Sequence, residues 1–462
     1  MSVAIERDDL SFWVETPDEL PCAPLRGEAT AEIAIVGGGL AGLSAAYHLI
    51  QERPGLDVVL LEANRVGSGA SGRNTGMLGP RVGRSLVDLC RRYGEADARR
   101  LYQATIDAVT QVKALIYAEK IACDLEETPQ VKAAMTSRQV DALQAERRML
   151  QRLGFAASWY DERQIAGISP VRYRAGLGYP HSGLLNPVRL CRELKRIVVG
   201  RGVRVHEQTR VSGFTPGHPL TLALPGGTLA AARVLLATDA YTPQLGLLRG
   251  QLIPLQTHVI QTQRLSPEQL GRLNWPGRTP FFEASNIFNY YRLTPDDRIV
   301  FGGGRPLYQA AAKDRQSGAT DVADPRVWEG QAKVFSRRFP ALADVAIVRR
   351  WAGTVGMTLD HLPVVGELAE APGILFAGGW NGHGVALATA SGATMADFVM
   401  RRRSPRMDFP WVRGRAPRVP PDPLRALGLS AYLTGLGLAD RLQMLRESLS
   451  RRGARTAEGR VP

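Results

Sequence analysis

The most constraining feature of the sequence is the stretch IAIVGGGLAGLSAAYHL at residues 33–49. Its first four residues are apolar and predict a buried parallel strand, and Gly37, Gly39 and Gly42 then give the spacing G-x-G-x-x-G at the start of a helical pattern. Such glycines permit a tight turn and a close backbone approach to a pyrophosphate, while the helix N-terminus offers free amides. A second strand, VVLLE, ends at Glu62, at the spacing of a carboxylate that binds a ribose hydroxyl. The stretch therefore predicts a dinucleotide site, but it does not separate FAD from NAD.

A second glycine loop near residue 380 favours FAD. The stretch GILFAGGWNGHGVALATASGATMADFVM, at residues 373–400, has the pattern of strand, glycine loop and helix. Between the two loops, a helix starting at Asn186 and the apolar run VLLATDAY from Val234 continue the alternation of helices and parallel strands. An NAD dehydrogenase rarely needs a second glycine loop, whereas a long flavin nucleotide bound in an extended form needs amides at both ends.

The strand pattern changes between about residues 245 and 350. Short alternating runs such as IFNYYRL and RIVFGGG predict an antiparallel sheet there. The predicted fold class is α/β (α+β overall): a Rossmann-like FAD-binding domain with an inserted antiparallel-sheet substrate domain and a C-terminal helical tail. We assign residues 30–85, 150–245 and 350–400 to the FAD-binding domain, residues 86–149 and 246–349 to the substrate domain, and residues 401–462 to a basic, proline-rich and helical extension.

Most of the net charge of +14 lies in this extension. Residues 401–462 contain 14 arginines and 5 acidic residues. Leu438, Leu442, Leu445 and Leu449 fall on one face of a predicted helix, which we expect to dock on the body of the protein, with contact to a partner or a membrane surface as the alternative. No run of about 18 uninterrupted apolar residues occurs, so no membrane span is predicted.

Cysteine usage and the N-terminal residues indicate a cytoplasmic protein. The cysteines, at positions 22, 90, 123 and 191, are far apart and form no C-x-x-C pair, so neither a metal site nor a disulfide framework is predicted. The segment MSVAIERDDL is acidic and lacks the basic and apolar regions of a secretory signal.

Several separated motifs together resemble the FAD-dependent D-amino-acid oxidase superfamily, which includes glycine oxidase and sarcosine oxidase. They are VGGGLAGLSAAYHL with Glu62, GSGASGRNTGM at 67–77, TRV ending at Val211, VLLATDAY, WAGTVGMTLDHLPVVG and FAGGWNGHGV. The resemblance covers about residues 30–400. The N-terminal SFW and the GASGRN stretch are most similar to the γ-glutamylputrescine oxidase branch.

The resemblance implies a noncovalently bound FAD and a position for each part of it. Gly37, Gly39 and Gly42 would bind the pyrophosphate, Glu62 the adenosine ribose, and Val211 would lie near adenine. Ala70, Ser71, Arg73 and Asn74 would lie along the flavin side, and Gly382, His383, Gly384 and Val385 beside the isoalloxazine ring. Further cofactor-binding residues expected around these motifs are Leu40, Ala41, Ala63 and Thr238. The amides that open the helix at Gly384 and Val385 would stabilise negative charge on the reduced flavin, and His383 is predicted to add a hydrogen-bond donor there.

Departures from the family pattern bear on the substrate. Val355 stands where the amino-acid oxidases carry an arginine for the substrate carboxylate, and Ala386 stands where sarcosine oxidase carries a lysine. We therefore predict an amine whose reacting carbon lacks a carboxylate, such as a primary amine on an alkyl or acylated polyamine chain. Arg81 or Arg84 would compensate if a carboxylate is bound there. Residues predicted to orient the substrate on the antiparallel strands are Tyr290, Tyr291 and His258.

Other departures concern flavin attachment and oxygen. Gly353 occupies the position of the flavin-linking cysteine of sarcosine oxidase, and Arg73 stands where related dehydrogenases carry a linking histidine, so noncovalent FAD is expected. Residues 251–300 contain no lysine, although sarcosine oxidase activates oxygen with a lysine from this region. The electron acceptor, oxygen or another molecule, therefore stays open, as does the choice between oxidase and dehydrogenase.

The resulting functional prediction is an FAD-dependent oxidoreductase that oxidises a C–N bond of an amine by hydride transfer to flavin N5, giving an imine and then an aldehyde or ketone. One alternative is an amino-acid oxidase or dehydrogenase of the glycine, sarcosine or D-amino-acid type. Others are an FAD-dependent tRNA-modifying protein and a non-catalytic flavin-binding protein. No nucleic-acid partner is expected, because the arginines of the tail are scattered without interleaved aromatic residues.

Overall fold

The computed structural model describes residues 11–15, 21–309 and 325–458. The N-terminal segment 1–10, on which the expectation about a signal sequence rests, lies outside these residues. None of the helices in the described part of the chain combines the length and the apolar character needed to cross a membrane.

Strands of the described residues form two large sheets and one small one. In chain order they are β1 (Gly27–Val36), β2 (Val58–Leu61), β3 (Met77–Leu78), β4 (Gln130–Ala134), β5 (Ser158–Tyr160), β6 (Ala175–Tyr179), β7 (Gly183–Leu184), β8 (Arg204–His206), β9 (Gly213–Thr215), β10 (Leu220–Leu224), β11 (Gly227–Leu236), β12 (Ile253–Thr262), β13 (Phe281–Glu283), β14 (Asn289–Leu293), β15 (Ile299–Tyr308), β16 (Ile347–Met357), β17 (Val364–Glu367) and β18 (Ile374–Gly378).

Helices connect and cover these sheets. In chain order they are α1 (Leu40–Glu52), α2 (Ala70–Arg73), α3 (Leu86–Ala118), α4 (Ser137–Arg152), α5 (Glu162–Ala166), α6 (Pro187–Gly200), α7 (Pro267–Gly271), α8 (Pro325–Arg338), α9 (Gly384–Val399) and α10 (Leu424–Glu458).

The first sheet has the order β17-β18-β11-β1-β2-β8, with β10 and β9 added beside β11. Strands β18, β11, β1, β2 and β8 run parallel to one another, whereas β17 pairs antiparallel with β18 and β10 pairs antiparallel with β11. Because the carboxyl ends of parallel strands lie at one edge of a sheet, α1 after β1 and α9 after β18 both begin at that edge. The edge is therefore the expected position of a nucleotide.

The second sheet has the order β16-β12-β15-β14-β13-β4-β6-β5 and is antiparallel except for the pair β13–β4. One face, here called the inner face, packs toward α6 through Val259 and Trp351. The opposite, outer face carries Tyr291 and Phe301, which pack with Phe339 and other aromatic residues. Since side chains alternate along a strand, neighbouring residues lie on opposite faces of this sheet.

Sheet pairing and core packing differ from the predicted domain ranges at strands β5, β6 and β16 and at helix α3. Strands β5, β6 and β16 pair in the second sheet, although residues 150–245 and 350–400 were assigned to the FAD-binding domain. Conversely, α3 was assigned to the substrate domain, yet its apolar residues share a core cluster with those of α9. A strand pattern indicates a strand but does not reveal its partner, which is set by pairings distant in sequence.

Helix α10 docks on the body as predicted, but the four leucines do not form the contact. Leu438, Leu442, Leu445 and Leu449 are exposed, each at about half or more of its surface, and Leu433 on the other side of the helix is buried. Helical periodicity identifies an apolar face but does not determine what it contacts. Here hydrogen bonds and ion pairs on the opposite side hold the helix to the body.

Candidate FAD and amine site

The first glycine loop is shaped by close backbone approach. Gly37 has φ 111°, and a Cβ placed there would lie 2.7 Å from the carbonyl oxygen of Ala237. A Cβ on Gly42 would lie 2.0 Å from the carbonyl oxygen of Gly37. Helix α1 then begins at Leu40, and its N-cap residue Gly39 supplies no side-chain hydrogen bond, so the positive end of the helix faces the glycine loop. This geometry suits the pyrophosphate predicted at this position.

Helix α2 is fastened to the glycine loop by side chains predicted to lie along the flavin. Ser71 Oγ accepts a hydrogen bond from the Leu40 amide at 3.0 Å, and Asn74 Nδ2 donates to the Ser71 carbonyl oxygen at 2.7 Å. Arg73 donates to the carbonyl oxygen of Ala352 in β16 at 2.8 Å. The segment 70–74 thus joins the first sheet to the second, and Arg73 acts there through backbone contacts.

Glu62 lies at the end of β2 beside the glycine loop. Its carboxylate accepts hydrogen bonds from the amides of Gly38 at 2.7 Å and Asn64 at 2.9 Å. Burial raises the pKa of Glu62, although these amide bonds oppose the shift. The Thr209 amide donates to the Glu62 carbonyl oxygen at 2.8 Å, which brings buried Val211 to the same end of the sheet. This arrangement groups the residues expected at the adenosine, including Ala63.

The second glycine loop follows β18 and is ordered by Asn381. Asn381 has φ 53°, its Oδ1 accepts from the Thr358 amide at 2.9 Å, and its Nδ2 donates to the Gly379 carbonyl oxygen at 2.6 Å. Gly382 has φ 80° and open space around its Cα. Helix α9 begins at Gly384 without a side-chain cap, as α1 does, and Val385 is buried in its first turn. The chain thus presents two uncapped helix N-termini at the edge of the first sheet.

Asp239 is a site residue that sequence reasoning missed. Its carboxylate accepts hydrogen bonds from the amides of Gly356 at 2.9 Å and Gly379 at 2.7 Å, and burial raises its pKa. It follows Thr238, whose hydroxyl is hydrogen-bonded to that of Thr242 at 2.7 Å. Asp239 therefore ties the segment after β11 to the end of β16 and to the loop after β18. The available signal was an acidic residue three positions after a buried parallel strand.

His383 lies at the start of α9 with one ring nitrogen unsatisfied. Burial and, to a smaller extent, the positive charge of Arg81 together lower the pKa of His383 to about 3. Nδ1 of His383 is buried and has no hydrogen-bond partner in the described structure. The imidazole is thus neutral near pH 7, and an unsatisfied buried nitrogen at a glycine loop fits the role predicted beside the flavin.

The two adjacent tyrosines of β14 point to opposite faces of the second sheet. The ring of Tyr290 lies over Gly302 on the inner face, its hydroxyl is hydrogen-bonded to Thr257, and burial raises its pKa to about 12. Tyr291 is fully buried on the outer face, where its hydroxyl lies 3.0 Å from that of Tyr173. The substrate-orienting role predicted for Tyr291 does not fit this position, whereas Tyr290 keeps it.

His258 also lies on the outer face. It is fully buried, packs edge-on against Trp328 at 5.1 Å between ring centroids, and its Nε2 lies 3.3 Å from Gln256 Oε1. Burial lowers its pKa to about 4. The substrate-orienting role predicted for His258 does not fit this position, because strand alternation turns its side chain away from the inner face.

Arg81 lies over aromatic rings of the second sheet and has no acidic partner of its own. Its guanidinium carbon is 3.1 Å from the ring centroid of Phe282 and 5.4 Å from that of Tyr179. Its Nη2 is buried without a hydrogen-bond partner, and no ion pair to Arg81 is present in the described ranges. Burial lowers its pKa to about 10, so it remains charged near pH 7. Arg84, in contrast, donates to the Asp360 carbonyl oxygen at 2.8 Å.

Comparisons with known proteins agree with this geometry. The sequence profile of the DAO family, described as FAD dependent oxidoreductase, matches residues 32–398. Gamma-glutamylputrescine oxidoreductase of Escherichia coli (strain K12) is 30% identical over 91% of this chain and 96% of its own length. The glycine oxidase of Geobacillus kaustophilus is 25% identical over 81% of this chain and 94% of its own. A crystal structure of glycine oxidase from that organism shares the fold, with a TM-score of 0.69 at 21% identity, covering 85% of this chain and all of that one.

The chain belongs to the DAO family of FAD-dependent oxidoreductases. The predicted family and fold class, the cofactor FAD and the enzyme class, an oxidoreductase acting on amine C–N bonds, are confirmed. The residues present fit this cofactor, since two uncapped helix N-termini and an unsatisfied histidine nitrogen lie at the edge where a dinucleotide binds. When bound, FAD supplies the two-electron acceptor for the hydride that leaves the carbon bearing the nitrogen.

Proposed function

We propose that this enzyme oxidises the terminal C–N bond of an aliphatic amine whose other end carries a carboxylate, as in a γ-glutamylated polyamine. The observation that carries the proposal is Arg81, a charged guanidinium near His383 with no acidic partner in the described residues. The similarity to gamma-glutamylputrescine oxidoreductase supports the substrate class. Loss of the hydride gives an imine, and water converts it to an aldehyde with release of ammonia.

The surroundings of Arg81 leave its positive charge unbalanced. Glu146, the acidic residue whose charge acts on Arg81, is already engaged: its Oε2 lies 2.9 Å from Lys132 Nζ, and its Oε1 accepts from the Tyr179 hydroxyl at 2.9 Å. Burial raises the pKa of Glu146, but Lys132 and Tyr179 outweigh burial and hold that pKa below its usual value. A partly buried cation without a counter-ion favours an anionic ligand group, and a carboxylate accepts two hydrogen bonds from a guanidinium.

The reacting carbon itself is expected to lack a carboxylate. Val355 on β16 carries no charge, and Ala386 in the first turn of α9 is buried in the hydrophobic core. The amine would instead be oriented by Tyr290 and Thr257 on the inner face, beside the flavin at His383. In this account the anionic end and the amine end of the substrate are recognised by different groups.

The bound FAD is proposed to be noncovalent, with its acceptor, oxygen or another molecule, left open. Gly353 has no side chain to attach a flavin, and its Cα lies against Arg73, whose guanidinium is committed to backbone oxygens. After acid precipitation, FAD should be recovered in the supernatant. Flavin retained in the pellet would contradict noncovalent binding.

A matched pair of amines tests the substrate proposal. N-glutarylputrescine carries a distal carboxylate, and N-pentanoylputrescine replaces it with a methyl group. Anaerobic reduction of the flavin should favour the glutaryl compound by about ten- to a hundredfold in kcat/KM, since a charged hydrogen bond contributes roughly 1.5–3 kcal/mol. Arg81→Met should remove this preference and leave the pentanoyl compound unaffected, with Arg84→Met as the matched control.

Two outcomes would contradict the proposal. Faster reduction by glycine, sarcosine or D-alanine than by either acylated amine would indicate an amino-acid oxidase or dehydrogenase, the second candidate, in which Arg81 binds an α-carboxylate. Equal loss of activity toward both acylated amines in Arg81→Met would show that Arg81 supports the fold of the site without binding the distal carboxylate.

A further inference from the structure

The C-terminal helix α10 has two faces of different character. The side toward the body carries Leu433, Asp440 and Glu447, and the opposite side carries leucines in contact with solvent. Nothing in the mechanism requires this helix, which begins 25 residues after the end of α9.

Polar contacts hold α10 to the body. The Ile287 amide donates to Asp440 Oδ2 at 2.8 Å, and the Ser137 amide donates to Glu447 Oε2 at 3.0 Å. Glu447 also pairs with Arg174, and together these partners lower its pKa although burial raises it. The acidic residues within 424–449 are thus both committed to the body and contribute little negative charge to the exposed side.

The exposed side carries an apolar line of leucines. Leu438, Leu442, Leu445 and Leu449 have exposed fractions of 56%, 48%, 60% and 68%. Spacings of four, three and four residues place them within an arc of about 60° on a helix that turns 100° per residue. Leu424 and Leu427, at 63% and 65% exposed, fall on the same side near the start of the helix and are separated from the four leucines by Ala431, Thr434 and Gly435.

Positive charge flanks the apolar line. Arg441 and Arg446 lie on either side of the four leucines and are exposed. Residues 401–462 as a whole carry 14 arginines against 5 acidic residues, of which Arg402, Arg406 and Arg413 pair with acidic residues of the body. A narrow apolar face bordered by arginines, on a helix whose other side is attached to a folded body, is the pattern of a helix that lies in a membrane interface.

We propose that α10 docks on an anionic lipid surface, with the leucine line in the boundary of the acyl chains and the arginines among the headgroup phosphates. The charges favour this occupant over a second copy of the chain. In a paired helix Arg441 and Arg446 would occupy the positions that flank the apolar seam and would meet arginines of the other copy. Anionic lipid provides the complementary charge for the same residues.

Vesicle flotation with the full FAD-loaded enzyme tests this proposal. The protein should float with vesicles of phosphatidylcholine and phosphatidylglycerol at 0.1 M salt, and bind pure phosphatidylcholine vesicles far more weakly. Leu442→Ser together with Leu445→Ser should weaken binding about a hundredfold, at roughly tenfold per leucine removed from an apolar contact. Arg441→Gln and Arg446→Gln should each weaken it about fivefold.

Met444→Ser is the matched control, because this exposed residue lies on the same helix outside the leucine line. It should bind the anionic vesicles as the parent does. Since all these side chains are exposed, flavin content and anaerobic reduction should stay unchanged in every variant, which separates this test from that of the amine substrate. Absence of binding to anionic vesicles would overturn the proposal. So would a dimer in size-exclusion chromatography with light scattering that Leu442→Ser converts to a monomer, since this would identify a second copy as the occupant.

Discussion

The inner and outer faces of the second sheet are built from the same strands but from different kinds of residues. On the outer face, Tyr291 and Phe301 stack with ring centroids 6.1 Å apart in a cluster of aromatic rings. On the inner face, glycines at 302 and 353 lie beside Tyr290 and Arg73. The difference shows that the outer face is filled by stacked aromatic rings, whereas glycines on the inner face let Tyr290 and Arg73 lie close against the strands. The function of a residue in this sheet therefore depends on which of the two faces its side chain occupies.

The largest expected effect is on the outer face. Phe301→Ala should lower the free energy of unfolding by about 3–5 kcal/mol, because it removes a fully buried ring from a packed cluster. The folded fraction should keep its FAD and its rate of anaerobic flavin reduction. Denaturant unfolding together with stopped-flow reduction measures both quantities. A slower reduction at unchanged stability would remove the distinction between the faces.

Acid should destabilise the outer face through His258. Burial lowers its pKa to about 4 from an ordinary value of 6.5, so the unfolded chain binds a proton between these values and the native chain does not. Stability is therefore complete above pH 6.5 and is lost as the pH falls toward 4, by up to about 3 kcal/mol at 1.36 kcal/mol per pH unit. His258→Phe should flatten the dependence of unfolding free energy on pH in this range. The other histidines with lowered pKa values, His48, His361 and His383, are partly buried and should produce the residual slope.

Gly302→Ala tests the inner face at the residue that adjoins Phe301 on β15. A Cβ at this position would lie 2.4 Å from Cε2 of Tyr290, so the ring must move. We expect kcat/KM for the amine to fall by about a hundredfold, the size of effect that a displacement near 1 Å produces in a positioned group. The matched control is Gly330→Ala on α8, where a Cβ meets no atom within 4 Å. Unchanged kinetics in Gly302→Ala would indicate that Tyr290 does not contribute to the site.

Sequence reasoning succeeded where the backbone itself forms the site. The G-x-G-x-x-G spacing and the GGWNGHG loop identify turns that only particular backbone conformations satisfy, and the structure places uncapped helices after both. It failed where the outcome depends on long-range pairing. The alternating run that contains Tyr290 and Tyr291 predicts a strand, but it does not tell which of the two residues faces the first sheet. Asp239 was missed for a similar reason, because Gly356 and Gly379, whose amides it binds, are more than 100 residues away along the chain.

The central claim is that the inner face of the second sheet acts on the substrate and the outer face maintains the fold. The most direct test compares Tyr290→Phe with Tyr291→Phe, since each removes one hydroxyl from adjacent residues of β14. Tyr290→Phe should slow anaerobic flavin reduction by N-glutarylputrescine about three- to tenfold with little change in Tm. Tyr291→Phe should leave that rate unchanged and cost about 1 kcal/mol of stability through its lost bond with Tyr173. A slower flavin reduction in Tyr291→Phe, with Tyr290→Phe behaving as the parent enzyme, would contradict the account.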